Sequence, residues 1–162
     1  MFRILVILML LFSFVSLHAE SVAAAECTRA SLQGVVDQYL DALKKGDFSR
    51  MPLAPQAKYI ESRKEIPFGQ GIWQAPLAFD FQRSLFDVEI CETFSEIIAA
   101  NISHPYVIGT RLKVVDGKIV EVESLVSDED DWLFDADNYL KYSSTEKWDI
   151  PVSYTHLRAH ET

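Results

Sequence analysis

Apolar residues recur at helical spacing in one segment near the start of the chain. Six of them lie three or four positions apart, on one face of a helix: Leu32, Val35, Val36, Tyr39, Leu40 and Leu43. Thr28 can cap the first turn, and Gly46 stands where helices commonly end in a left-handed conformation. The pattern predicts an amphipathic helix with one buried face.

The middle of the chain changes to shorter patterns. Residues 58–62 predict a short strand, and the glycines and prolines of residues 66–78 predict a loop around Trp73. Apolar positions in residues 79–100 fit either strands or a helix. Because β-branched and aromatic residues are dense there, two strands are favoured.

A hairpin is the last regular pattern. Residues 106–115 and 118–127 flank Asp116-Gly117, which is typical of a two-residue type I′ turn. Residues 134–142 predict a short terminal helix. One helix followed by strands indicates an α+β fold, and residues 26–150 have the length of a single domain.

The two ends carry patterns unlike those of a folded domain. A basic start, an apolar run of about 14 residues and then small polar residues have the order of a secretory signal peptide, predicted for residues 1–25. The run is shorter than the roughly 20 residues of a membrane-spanning helix, although an uncleaved anchor is the alternative. We therefore expect a secreted, extracellular protein.

Residues 151–162 resemble translated sequencing-adaptor DNA and are predicted to be a non-native tail.

The composition restricts the partners. The formal net charge is −9, and no stripe of basic residues interrupts the acidic sequence. Such a surface repels nucleic acid and anionic membranes. We expect no nucleic-acid partner and, once the signal is cleaved, no membrane association.

The predicted secretion bears on the redox state of the two cysteines. An even count in an oxidising compartment predicts a disulfide between Cys27 and Cys91, with two buried free thiols as the alternative. Asn101-Ile102-Ser103 is an N-glycosylation sequon, so Asn101 is a candidate glycosylation site.

Metal-ligating residues are sparse. His104 is the one histidine between the predicted signal and tail, whereas zinc and iron sites need clustered histidines or cysteines. The acidic run at residues 128–131 lacks the glycine and the spacing of an EF-hand loop, which favours a solvated turn. We therefore expect no metal and no cofactor. Any acid–base chemistry would fall to carboxylates, tyrosines and Arg111.

Hairpin geometry makes Glu123 the first candidate. With uninterrupted pairing across the two-residue turn, Glu123 would lie opposite Thr110 and share a face with apolar neighbours, namely Ile108, Leu112 and Leu125. Arg111 would lie on the other face. A carboxylate buried without a cation has a raised pKa, which suits a general acid or base. The alternative is that Glu121 and Glu123 are solvated on an exposed face.

Several sequence segments together resemble a known fold. They are Tyr39-Leu40-x-Ala42-Leu43, Tyr59-x-Glu61, Gly69-x-Gly71-x-Trp73 and the hairpin sequence of residues 111–123. In this combination the chain resembles the cone-shaped fold of nuclear transport factor 2 and ketosteroid isomerase, which the SnoaL-like polyketide cyclases share. The resemblance implies a curved antiparallel sheet with the N-terminal helix packed on it.

A narrower resemblance rests on residues 51–55, 105–112 and 132–134. These pieces look like a family of secreted fungal proteins of unknown function. Members of that family continue into a second half, which implies that this chain is truncated and is only the first half.

The wider resemblance also suggests site residues. Glu61 ends the first strand near where the isomerase-like cones place a catalytic aspartate, and Tyr59 lies on the same face. Independently of the resemblance, Trp73 and Trp132 are candidate ligand-binding residues because aromatic walls are common in small-molecule pockets, and Arg111 is a third candidate. The alternatives are a surface or structural role for Glu61 and core packing for the two tryptophans.

Two classes of function follow. The first is a secreted domain that binds a small apolar or polyketide-like molecule. Its catalytic form would be a cofactor-free isomerase, dehydratase or cyclase that uses carboxylate and tyrosine chemistry. The second is a non-catalytic binding or interaction module. A carboxylate–tyrosine pair in a closed pocket favours the enzyme, and a cone filled by aromatic rings favours the module. A homodimer is left open.

Overall fold

The computed structural model describes residues 27–147. The predicted signal peptide at residues 1–25 and the predicted tail at residues 151–162 therefore lie outside the described residues. Within the described part, no helix is long and apolar enough to cross a membrane.

The N-terminal helix forms as its sequence predicts. Helix α1 spans Arg29–Lys45, and the Thr28 hydroxyl accepts a hydrogen bond from the Ser31 backbone N–H at 3.1 Å. Gly46 ends the helix with φ +62°, a left-handed conformation in which glycine has no steric penalty. The predicted apolar stripe is the buried face.

Six strands form one curved sheet with the order β2-β1-β6-β5-β4-β3. Their bounds are β1 Leu53–Glu61, β2 Lys64–Glu65, β3 Phe81–Asp87, β4 Glu92–Ala99, β5 Tyr106–Val115 and β6 Lys118–Asp128. The α+β class and the two strands expected within residues 79–100 are confirmed. The sheet is not wholly antiparallel, however, because β1 pairs with β6 in parallel.

The register of the β5–β6 hairpin differs from the predicted one. Val114 pairs with Ile119, as a two-residue turn requires, but Lys113 then pairs with Glu121, so Val120 is an extra residue in a β-bulge. Because side chains alternate along a strand, one extra residue moves every later β6 side chain to the opposite face. Glu123 consequently pairs with Arg111, and the prediction that it faces Thr110 is wrong.

The two faces of the sheet have different partners. The inner face packs against α1 and holds buried residues from four strands, namely Tyr59, Ser95, Ile108, Thr110, Leu112, Val122 and Ser124. The outer face carries Phe94, Glu96, Arg111 and Glu123. A second helix, α2 at Ala136–Ser143, lies on the outer face, where the Ser143 hydroxyl donates to Glu96 Oε1 at 3.1 Å.

A disulfide joins the start of α1 to the turn between β3 and β4. Cys27 and Cys91 are bonded, with their Cα atoms 5.8 Å apart and a sequence separation of 64. The predicted pairing is confirmed. It fixes the N-terminal end of the helix against the sheet.

Candidate functional site

A tyrosine and a carboxylate stand side by side on the inner face, at the end of β1. Tyr59 and Glu61 are two positions apart on one strand, so their side chains point the same way. The Tyr59 hydroxyl donates to Glu61 Oε2, and Tyr59 is almost fully buried. The structure thus brings together two of the residues that the sequence singled out.

A short 3₁₀ turn at Gly71–Gln74 holds the other side of the carboxylate. The Ile72 backbone N–H donates to Glu61 Oε2 at 3.0 Å. Gly71 has φ +60°, and a Cβ there would lie 2.2 Å from both Glu61 oxygens. Only glycine lets the backbone pass this close. The loop predicted around Trp73 therefore serves to enclose Glu61.

A chain of three hydroxyl groups lies on the inner face beside this pair, and the sequence did not predict it. Tyr39 on α1 shares a hydrogen bond of 2.8 Å with the Thr110 hydroxyl, which lies 2.9 Å from the Ser124 hydroxyl. All three residues are fully buried. Burial raises the pKa of Tyr39 to about 12, so this hydroxyl stays protonated. A tyrosine within an otherwise apolar helical stripe was the available signal.

Aromatic rings surround the Tyr59–Glu61 pair. Phe68 stacks on Tyr59 with ring centroids 5.4 Å apart. Trp73 makes T-shaped contacts with Tyr39 and Tyr59, with ring centroids 5.9 and 6.4 Å apart. Trp73 is only 2% exposed, and its Nε1–H finds no hydrogen-bond acceptor within residues 27–147. A buried donor without a partner is costly, so this position would favour an incoming oxygen.

The protonation of Tyr59 limits what the pair can do. Burial, together with the hydrogen bond to the Glu61 carboxylate, raises the pKa of Tyr59 well above its usual range. The hydroxyl is therefore a permanent donor, but its proton is already directed at Glu61. It would have to rotate away before it could stabilise an oxyanion on a bound molecule.

Glu123 and Arg111 lie away from this site. On the outer face, the Arg111 guanidinium donates to Glu123 Oε2 at 2.8 and 3.1 Å, to Glu92 Oε1 at 3.0 Å and to Glu121. These partners, Glu123 first, raise the pKa of Arg111 above its usual range. The predicted burial of Glu123 without a cation is wrong, because the bulge at Val120 places it beside Arg111.

The other predicted residues take surface positions. Trp132 is 90% exposed in the turn before α2, so it does not line the cone interior. The His104 Nδ1 atom lies 3.1 Å from Glu129 Oε1, which gives the acidic run of residues 128–131 a partner. Asn101 is exposed, and its side-chain amide donates to Asp80 at 2.8 Å. Among the described residues, no cluster of His, Cys, Asp and Glu could hold a metal ion.

Solved structures with a similar fold are known. A protein of unknown function from Burkholderia xenovorans LB400, described as NTF-2 like, matches 76% of this chain and 97% of its own with a TM-score of 0.51 and 14% identity. An NTF2-like protein of unknown function from Shewanella baltica OS155 matches 62% of this chain and 92% of its own, with a TM-score of 0.39 and 18% identity. No protein-family model and no curated protein matches the chain. The match to the Burkholderia protein shows that the fold is that of the nuclear transport factor 2-like proteins.

Proposed function

We propose that this protein is a secreted domain that binds a small apolar molecule carrying a carbonyl or hydroxyl oxygen inside the cone. The observation that carries the proposal is the buried Trp73 Nε1–H, which lacks an acceptor and lies beside the Tyr59–Glu61 pair. An oxygen-bearing ligand would accept from the indole. The rings of Tyr59 and Phe68, which line a cavity of about 280 Å³, would supply the apolar walls that are common in small-molecule sites.

Secretion is a part of this proposal. It is supported by the signal-type sequence at residues 1–25 and by the Cys27–Cys91 disulfide, since such bonds persist in oxidising compartments. Exposure of Asn101 would leave the sequon accessible for glycosylation, at the loss of its hydrogen bond to Asp80.

Binding without turnover is the form of the proposal that the hydrogen bonds favour. In the resting arrangement, Tyr59 and Ile72 both donate to the same oxygen, Oε2, of Glu61. A catalytic carboxylate needs an oxygen within reach of the substrate, and an oxyanion needs a donor that is not already used. Here the tyrosine donor is committed to the carboxylate.

The first prediction concerns the indole donor. We expect acetylnaphthalene to bind more tightly than ethylnaphthalene, which has the same ring system without the oxygen. Replacing Trp73→Phe should reduce that preference by about fivefold, because one hydrogen bond is worth roughly 1 kcal/mol. Titration by ligand fluorescence measures both affinities, and their ratio cancels any general loosening of the site. Trp132→Phe is the matched control and should preserve the preference. An unchanged ratio in Trp73→Phe would exclude the indole as the ligand contact.

A cofactor-free isomerase, dehydratase or cyclase is the second candidate, favoured by the position of Glu61 beside Tyr59. If Glu61 were a general base, it would remove a proton from the carbon next to a ketone. In heavy water, we expect the methyl hydrogens of acetylnaphthalene to exchange for deuterium at the same rate with the protein as in buffer alone. Mass spectrometry measures this rate. Exchange about tenfold faster, lost in Glu61→Gln and kept in the exposed control Glu65→Gln, would establish catalysis instead.

A further inference from the structure

A cleft opens on the outer face of the sheet, on the side opposite the cone interior. It encloses about 570 Å³ between helix α2 and strands β3 to β5. Volumes of this size are typical of small-molecule sites. The cleft shares no residue with the Tyr59–Glu61 site, because that site belongs to the inner face.

The floor of the cleft is apolar and depends on one glycine. Phe94 on β4 lies across Gly109 on β5, where a Cβ would stand 3.0 Å from the edge of the phenyl ring. Glycine therefore lets this ring lie close over the neighbouring strand. Phe94 remains 47% exposed, so the ring offers an open surface to a ligand.

Two tyrosines of α2 form the opposite wall. Tyr139 is 51% exposed and Tyr142 is 60% exposed, and both line the cleft with Phe94. The Lys141 ammonium already lies 5.4 Å from the centre of the Tyr142 ring. A flat ligand would consequently find its aromatic contacts between Phe94 and Tyr139. Stacked or edge-on ring contacts of this kind add to the gain from burial.

The charges that line the cleft select the sign of the ligand. Three carboxylates, those of Glu96, Asp135 and Glu146, face one guanidinium, that of Arg83. Arg83 is bound to Glu96 at 2.5 Å and to Glu146 at 3.0 Å. When the Lys141 ammonium over the Tyr142 ring is counted as well, three carboxylates still outnumber two cations. The cleft therefore keeps an excess of negative charge, which favours a cation and repels an anion.

From this geometry we propose that the outer cleft is a second binding site, which takes a planar aromatic cation. The rings of Phe94 and Tyr139 hold the flat apolar part, and a cation over an aromatic face gains further energy. Glu146 and Asp135 at the exposed rim attract the charge. The site binds its ligand independently of the cone.

Three probes of similar shape test the sign of the charge. N-methylquinolinium is a permanent cation, quinoline is neutral at neutral pH, and naphthoate is an anion. We expect the affinity to fall in that order, with shifts of backbone amide signals at Gly109 and Ser143 in NMR titrations. Equal affinity for cation and anion, or signal shifts confined to the inner face, would overturn the proposal.

Variants then separate the charge from the rings. Glu146→Gln should weaken N-methylquinolinium by about threefold and leave quinoline unchanged, because the side chain keeps its size while the cleft, including the ion pair with Arg83, loses one negative charge. Tyr139→Ala should weaken both probes by about fivefold. The controls are Glu89→Gln and Trp132→Ala, which change an exposed carboxylate and an exposed ring outside the cleft. Thermal unfolding of each variant confirms that the fold is kept. A loss of affinity as large in the controls as in the cleft variants would overturn the site.

Discussion

Replacing both Cys27 and Cys91 by alanine is expected to lower the free energy of unfolding by about 4 kcal/mol. The bond closes a loop with a sequence separation of 64 residues, so it removes much of the freedom of the unfolded chain. Urea unfolding followed by circular dichroism measures the loss. The dependence on urea should also steepen, because an unbridged chain exposes more surface when it unfolds.

The same loss should follow chemical reduction of the parent protein, which is the control for side effects of the two alanines. The double variant, in contrast, should not respond to the reductant. A loss below about 1 kcal/mol, or two thiols that alkylate in the native parent, would contradict the structural role given to this bond.

The second large effect is expected at the end of helix α1. Gly46→Ala should destabilise the domain by about 3 kcal/mol, since it combines a left-handed conformation with a steric conflict. A Cβ at Gly46 would lie 2.6 Å from the Pro76 nitrogen and 2.8 Å from the Ala75 carbonyl carbon. Both are backbone atoms, which a rotamer change cannot move. Thermal and urea unfolding measure the loss.

Gly34→Ala in the same helix is the matched control. Nothing lies within 4 Å of a Cβ at Gly34, and alanine is favoured over glycine inside a helix by about 1 kcal/mol. This variant should therefore be more stable than the parent. If the two alanine variants behaved alike, the contact between the helix end and the Ala75–Pro76 segment would not have the importance given to it.

Local patterns predicted the elements well, because each element is determined by residues close in the sequence. The apolar stripe, Thr28 and Gly46 define α1 without any tertiary information. Asp116 and Gly117 both adopt positive φ, as the predicted turn requires. Tyr59 and Glu61 share a face because alternation along one strand is a local property.

The face of the hairpin was predicted wrongly because a bulge has no local signature as strong as that of a turn. Turn geometry favoured Ile119 inward, and pairing without interruption would then have placed Glu121 and Glu123 inward as well. The structure keeps Ile119 inward and inserts Val120, which brings Val122 and Ser124 to the inner face. The energetic reason is plain. Burying two carboxylates is costly, whereas burying Val122 is favourable.

Long-range arrangements were also beyond the sequence. No local pattern shows that α2 lies on the outer face or that Trp132 stays exposed in the preceding turn. The charge network around Arg111 likewise joins three strands, through Glu92 on β4 and Glu121 and Glu123 on β6. Such contacts depend on which strands become neighbours, and residues distant in the chain decide that.

The parallel pairing of β1 with β6 has a consequence for the order in which the chain can assemble. Strands β3 to β6 form a meander whose neighbours are joined by short turns, whereas β1 meets β6 only after about sixty intervening residues. The entropy of closing that long loop is lost before β1 gains its contacts. Tyr59 and Glu61 lie on this late-joining strand. Their common direction is local to β1, but their burial on the inner face beside β6 is a product of the finished sheet, and it is lost with any change that opens the β1–β6 pairing, even where the meander survives.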